Sequence, residues 1–393
     1  MRKILSIWAL FLCATACVYP YTPELDEAPE GVLAVDANIS IGDVSSVRVS
    51  TLRSVWPSDN VVFPDLRGVQ VWVEDETGET YPGAPDPAYF GYYDFIYFPG
   101  NALYTIATEN APADRRYRLC IKTPDARYAS DWTEVEAPPV IKNIDFTADD
   151  MAVSVNVSVD GGAAATGYFL LSYDETWEFH ADYIPRYAVT VMGTRVSIQQ
   201  SSPDYSRYWC WKSSNNNQIY PVDYTAMSQA GVTSWPLTRF SRRDNRNHKR
   251  YCVTVKARNV SKETFRFLKN LETNTGYGDN LFTPTPGELP SNLHCESDPE
   301  RTVLGYVLFS QTTSKRAWLD SRYGQQAPLS TLLYPEQDQF REFYESGFLP
   351  LEELLPEQIQ EGMGPYGWGG KYCYDCTAVG GTQQKPTFWD DEE

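Results

Sequence analysis

The sequence predicts a mainly β protein, with two Ig-like or fibronectin-like antiparallel β-sandwiches and a small C-terminal segment carrying short helices and pinned by disulfides. Three observations predict it. Short runs that alternate apolar and polar residues, such as Val69-Gln70-Val71-Trp72-Val73-Glu74, recur between turn-forming residues. Aromatic residues make up 14% of the chain, with 27 Tyr and 11 Trp, and these side chains suit pleated, half-buried surfaces. One stretch alone has a good helical period.

Residues 1–16 have the layout of a secretory signal: Arg2 and Lys3, an apolar run from Ile4 to Leu12, then Ala14-Thr15-Ala16. The run falls short of the roughly 20 residues that span a bilayer. Cys17 follows the expected cut, the pattern of a lipoprotein whose thiol is acylated. Ala14 stands where Leu is usual, and Cys13 is the poorer acceptor because bulky Leu12 precedes it. Several acyl chains anchor firmly, each buried methylene adding about 0.8 kcal/mol. Residues 17–30, with Pro20, Pro23 and Pro29 among four acids, read as an extended tether. Folded structure is expected from about Val32.

Residues 31–138 read as the first sandwich, near the roughly 100 residues such domains use. Its expected strands include Val32-Leu33-Ala34-Val35, Val47-Arg48-Val49-Ser50, the aromatic run Tyr89 to Phe98 and Tyr117-Arg118-Leu119-Cys120-Ile121. Asp75-Glu76-Thr77-Gly78 and Pro99-Gly100-Asn101 supply turns. Ala137-Pro138-Pro139 closes the segment.

Residues 140–320 read as the second sandwich. Val153, Val155, Val157 and Val159 alternate strictly, which buries one strand face. Residues 174–249 are weakly periodic and are expected to be a long insertion. Arg250 to Lys256 returns to alternation. A helix is predicted over 261–272, with Ser261 as cap and Phe265, Leu268 and Leu271 on one face. Val303 to Phe309 reads as a late strand. Residues 321–393 form a Cys- and Gly-rich extension, with short helices expected over 335–346 and 350–360 and an acidic tail from Asp390.

The formal net charge is −19, and loss of Arg2 and Lys3 makes it more negative, so phosphate backbones repel the chain and nucleic-acid binding is excluded. Histidine occurs three times, at His180, His248 and His294, which leaves little for His-based catalysis or metal binding. With Cys13 in the signal and Cys17 lipidated, Cys120, Cys210, Cys252, Cys295, Cys373 and Cys376 remain as disulfide candidates. Spacing does not choose among their roughly 15 pairings.

Candidate chemistry is sparse. Cys373-x-x-Cys376 fits a redox pair, half a zinc site or a structural disulfide role; the missing strand-then-helix context argues for the last. Arg239, Arg242, Arg243, Arg246, Lys249 and Arg250 form the one basic cluster. With Trp209 and Trp211 it is the candidate partner or ligand surface, against the ordinary reading of a solvated face. Outward members of the Tyr89–Phe98 run are a further binding candidate. No nucleophile elbow, His-Glu-x-x-His, phosphate loop or EF-hand loop is present, so no catalytic residue, metal site or cofactor is expected.

One resemblance covers nearly all of the chain after Cys17. Its marks are the cysteine and tether, Val32-Leu33-Ala34-Val35-Asp36-Ala37-Asn38-Ile39, Gly68-Val69-Gln70-Val71, Cys210-Trp211 and Val303-Leu304-Gly305-Tyr306. The ending Cys373-x-x-Cys376, Gly380-Gly381-Thr382 and Lys385-Pro386-x-Phe388-Trp389 completes them. In this order they resemble the Bacteroidota outer-membrane lipoproteins grouped as the domain-of-unknown-function 4249 family. The resemblance implies an all-β protein at the outer membrane, often encoded beside TonB-dependent receptors, with no known catalytic residues. In that group, acids soon after the lipidated cysteine resemble a surface-export signal; here the first is Glu24. The expectation is a non-enzymatic, surface-exposed lipoprotein that assists a TonB-dependent transporter or captures its ligand. A structural or adhesive surface protein and a hydrolase of surface glycans or peptides are the alternatives.

Overall fold

The computed structural model describes residues 32–51, 66, 68–86, 101–162, 165–193, 195–216, 218–275, 290–320 and 330–390. The expected signal, Cys17, the tether and the Tyr89–Phe98 run lie outside the described residues.

The strands in chain order are β1 (Leu33–Ser40), β2 (Val44–Thr51), β3 (Gln70–Asp75), β4 (Thr80–Pro85), β5 (Asn101–Ala107), β6 (Arg116–Lys122), β7 (Arg127–Ser130) and β8 (Thr133–Glu134). There follow β9 (Val140–Ala148), β10 (Ala152–Asp160), β11 (Tyr168–His180), β12 (Tyr187–Met192), β13 (Arg195–Gln200), β14 (Trp209–Asn215), β15 (Tyr220–Asp223), β16 (Gly231–Ser241) and β17 (Arg250–Asn259). After helix α1 (Lys262–Thr275) come β18 (Leu293–Cys295), β19 (Val303–Ser310) and β20 (Thr313–Asp320). The C-terminal part holds α2 (Phe340–Glu345), β21 (Leu349–Glu353), β22 (Tyr366–Gly369) and α3 (Lys371–Tyr374).

Alternation builds the first core. Leu33, Val35, Ala37 and Ile39 of β1 and Val71 and Val73 of β3 are buried, while Asp36 and Gln70 face out. The strands run in the order β18-β7-β6-β3-β4-β5-β2-β1-β19, with β8 beside β6. This path curls round a single core that takes side chains from β1, β2, β3, β5, β6, β7, β18 and β19. Its two ends are joined by a side chain: Asn292 Nδ2 donates to Val307 O and its Oδ1 accepts from Val307 N, both at 2.8 Å. Residues 31–138 therefore do not make up the sheet alone. The predicted strand at Val303–Phe309 forms, but it pairs in parallel with β1, Val35 opposite Gly305 and Ala37 opposite Val307.

The second core lies between the sheet β16-β10-β9 and the sheet β14-β11-β17-β20, with β15 also on β11. Val153, Val155, Val157 and Val159 all point into it, as their spacing predicts. The segment 174–249, expected as an insertion, contains β12 to β16 and the end of β11. Its weak periodicity follows from half-buried edge strands: Tyr187–Met192 reads intermediate and exposed in turn. Asn259, fully buried, donates from Nδ2 to Ala137 O and Gly161 O and so fixes the expected linker to this unit.

Helix α1 starts where Ser261 Oγ accepts from Thr264 N at 3.2 Å. The helix expected over 335–346 shortens to α2 after a 3-10 turn at Gln337–Gln339. The one expected over 350–360 is instead β21 followed by a 3-10 turn at Pro356–Gln358, because Leu349–Glu353 pairs with β22 around buried Trp368.

Candidate functional site

The basic cluster is held down by acids. Glu175 and Glu178 of β11 are buried and, three residues apart in a regularly paired strand, lie on opposite faces of it. Arg246 Nη2 lies 3.2 Å from Glu175 Oε2, and Tyr251 OH donates to Glu175 Oε1 at 2.6 Å. The Arg246 guanidinium also covers Trp177 at 4.9 Å and Phe240 at 5.2 Å. Lys249 pairs with Glu178 and covers Trp209 at 4.7 Å. Arg250 pairs with Asp320 and covers Trp318 at 4.2 Å. Arg239 meets Asp149 on the surface at 2.6 Å, and Arg242 Nη1 donates to Asp149 O. Arg243 is exposed. The cluster thus anchors a turn to the second sheet, and its charge is mostly neutralised locally. Trp211 is tied by backbone bonds in both directions to Thr382, each 2.8 Å.

A different feature has the shape of a binding site. Helix α1 crosses the outer face of β1 and β19 and leaves a groove of about 580 Å³. That lies within the size range of small-molecule sites. Leu304, Tyr306 and Leu308 of β19 form the floor, and Phe267, Leu268 and Leu271 of α1 form the wall. Phe267 and Tyr306 stack with centroids 4.3 Å apart, and Thr264 Oγ1 and Tyr306 OH share a hydrogen bond at 3.2 Å. The polar margin is Asp36 and Asn38 of β1. Behind it, Arg258 of β17 donates to Asn38 Oδ1. Loss of water brings the Arg258 guanidinium down to about 10, and among the described residues no carboxylate pairs with it. An arginine stays charged at that value, so this is a desolvated cation hydrogen-bonded to the amide oxygen of Asn38.

Gly305 makes the floor possible. Its φ is +131°, and a Cβ there would stand 2.0 Å from Val35 O. Sequence reading placed Leu268 and Leu271 on the apolar helix face but missed Phe267, Tyr306 and Leu304. The available signal was Val303 to Phe309 itself: it is apolar on both faces, which marks a strand covered on both sides.

Residues 18–316 match the model of the family described as Domain of unknown function (DUF4249). The chain belongs to the DUF4249 family. No curated protein matches it. All three elements of the groove, β1, α1 and β19, lie inside the DUF4249 match, whereas the C-terminal motifs lie beyond it.

Those C-terminal motifs fasten the tail to the DUF4249 region. Cys376 forms a disulfide with Cys210 of β14. Cys373 does not pair with it, since α3 turns Cys373 into a separate small cluster with Leu332 and Leu351 while Cys376 enters the second core. The Cys-x-x-Cys motif is therefore not a vicinal redox pair. Cys120, Cys252, Cys295 and Cys373 are buried free thiols, so of the six disulfide candidates Cys210 and Cys376 alone pair. Burial pushes Cys120 and Cys252 up to about 12, so neither offers a thiolate at neutral pH. Trp389 is buried and packs edge-on to Trp318 at 5.0 Å.

Proposed function

We propose that this protein is a non-enzymatic, ligand-capturing lipoprotein of the outer membrane, anchored at Cys17 and working beside a TonB-dependent transporter. The observation that carries the reading is the apolar groove between α1 and the β1/β19 pair. Its occupant is a small amphipathic molecule. Its apolar body lies against Leu268, Leu271, Leu304 and Leu308, and its polar end reaches Asp36, Asn38 and the Tyr306 hydroxyl. The arrangement of Arg2, Lys3, the apolar run and Cys17 supports the anchor, and the resemblance of the whole chain supports the transporter partnership.

The test has two arms. Protein extracted from its native membrane in mild detergent is expected to carry a small molecule in native mass spectrometry and to co-purify with a transporter. A Leu304→Trp variant, which fills the groove, is expected to lose the small molecule and keep its fold. Repeated recovery of ligand-free protein without any transporter, at native expression, sinks the reading.

A further inference from the structure

The groove has an outer and an inner end, and a cation stands at the inner one. Along β19, Leu304 is exposed and Leu308 is buried. The strand between them is about 13 Å long. Leu308 stands opposite Asn38 in the β1–β19 pair, so the two share the face on which the groove lies. On the second sheet, Leu170 of β11 stands opposite Arg258 of β17 in the same way. Leu170, Val260 and Leu308 form one small apolar cluster, with Leu268 and Ile219 packed against it. Leu268, Ile219 and Leu308 also line the groove. The two cross-strand pairs therefore meet where the groove ends, leucine against leucine and Arg258 against Asn38.

The hydrogen bond between Arg258 and Asn38 sets the direction of the amide. A guanidinium only donates, so the atom that Arg258 meets is Oδ1. Asn38 Nδ2 is then turned away from Arg258 with its N–H donors to give, and among the described residues none accepts from it. Asn38 is part of the groove wall, and Arg258 stands one hydrogen bond behind it.

Neighbouring charges do not cancel Arg258. Lys256, on the same face of β17, is paired with Asp174 at 2.7 Å. Asp36, the acid of the groove margin, is exposed and stands directly opposite Arg48 across β1 and β2, a neighbour of the opposite sign. Leu170 and Val260, beside Arg258, are apolar and buried. A desolvated guanidinium in such surroundings gains more from an anion than from a neutral group. Its lowered value has the same origin, loss of water without a counter-charge.

We infer that the ligand of the groove is an amphiphile with a carboxylate head and a medium-length apolar tail. Asn38 Nδ2 receives the head, Arg258 supplies the opposite charge from behind it, and the tail lies over Tyr306 and Leu304 toward the outer end. One cation and one amide suit a single negative charge, whereas a phosphomonoester head brings close to two. Arg258 also acts as a positioning residue, since it holds the amide oxygen and so turns the nitrogen to the ligand. The inference rests on the groove being the ligand site and adds the sign of the head.

Full-length protein held in nanodiscs of zwitterionic lipid, with empty nanodiscs as the blank, is titrated with decanoate, decanol and decyltrimethylammonium. These share one tail and differ in head charge. Decanoate is expected to bind about tenfold or more tighter than decanol, and decyltrimethylammonium no tighter than decanol. The isotopically labelled carboxyl carbon of decanoate, followed by NMR as pH falls, is expected to stay ionised to lower pH when bound than when free, since a nearby cation favours the charged form. Arg258→Gln is expected to bring decanoate down to the level of decanol and to leave decanol unchanged. Decanol bound as tightly as decanoate overturns the inference and leaves the groove reading standing. So does a preference for the ammonium head, which assigns the head site to Asp36, or a preference for decanoate that survives in folded Arg258→Gln. Failure of all three probes to bind overturns the groove reading as well. Should Arg258→Gln not fold, the probe series and the carboxyl titration on the unaltered protein decide.

Discussion

Cys376 is bonded to Cys210 across 166 residues, and Gly381 lies against the bridge, where a Cβ would come within 2.7 Å of Cys210 Cβ and 2.8 Å of Phe179 Cζ. The tail is thereby fixed to edge strand β14, and the Trp211–Thr382 backbone pair covers part of that edge.

Replacing both cysteines by Ala is expected to lower stability by about 3–5 kcal/mol, since the bridge closes a long loop. Urea denaturation of oxidised and doubly substituted protein measures the difference. In denaturant, thiol titration of the six cysteines from Cys120 onward is expected to find four free before reduction. A finding of no free thiol contradicts the arrangement.

Arg246 and Arg243 are three residues apart and should behave oppositely. Arg246→Met leaves buried Glu175 with Tyr251 OH but without its cation, at an expected cost of about 2–4 kcal/mol. Arg243→Ala, at an exposed position, is expected to stay within about 0.5 kcal/mol. Equal effects in chemical denaturation would mean that the cluster is a solvated face.

Gly305→Ala drives a methyl group into Val35 O and forces an L side chain to a φ of +131°. The expected loss is about 2–4 kcal/mol, from strain and overpacking together. A melting temperature equal to that of the unaltered protein would show that β1 and β19 are not paired so closely.

Asp75 gives the protein an acid limit. Desolvation opposes its charge, but the Arg115 guanidinium, the Thr77 hydroxyl and the Thr77 and Glu79 amides outweigh it and hold the carboxyl at about 2, below its ordinary 3.8. The folded state thus binds this proton less readily than the unfolded chain. Its contribution is complete above about pH 4 and drains away as pH falls toward 2. Melting temperatures of the unaltered protein and Asp75→Asn should differ at neutral pH and converge near pH 2. A constant gap would assign the effect elsewhere.

The strands that were legible have one buried face: Val153 to Val159 and Val69 to Glu74 carry their period openly. The partner of a strand was not legible. Nothing in Val303 to Phe309 says that it lies beside Leu33 to Ser40, since register across 270 residues is set by packing rather than by local pattern. The same limit applies to the sites. Arg239 to Arg250 is visible as a charge run, but its acids, Glu175 and Glu178, come from another strand. Arg258 and Asn38 are isolated letters in the sequence and meet only because the end of β17 arrives beside the outer face of β1.

The parallel β1–β19 pair also dictates an order of events. A nascent chain emerging from its N-terminus holds β1 beside β2 alone until residue 310 has followed, so that edge stays bare through most of synthesis. Contacts this distant in sequence make folding slow and expose intermediates to self-association. The first sheet and the helix that covers it should therefore gain and lose structure in one cooperative step, and a fragment stopped at residue 138 should aggregate rather than fold.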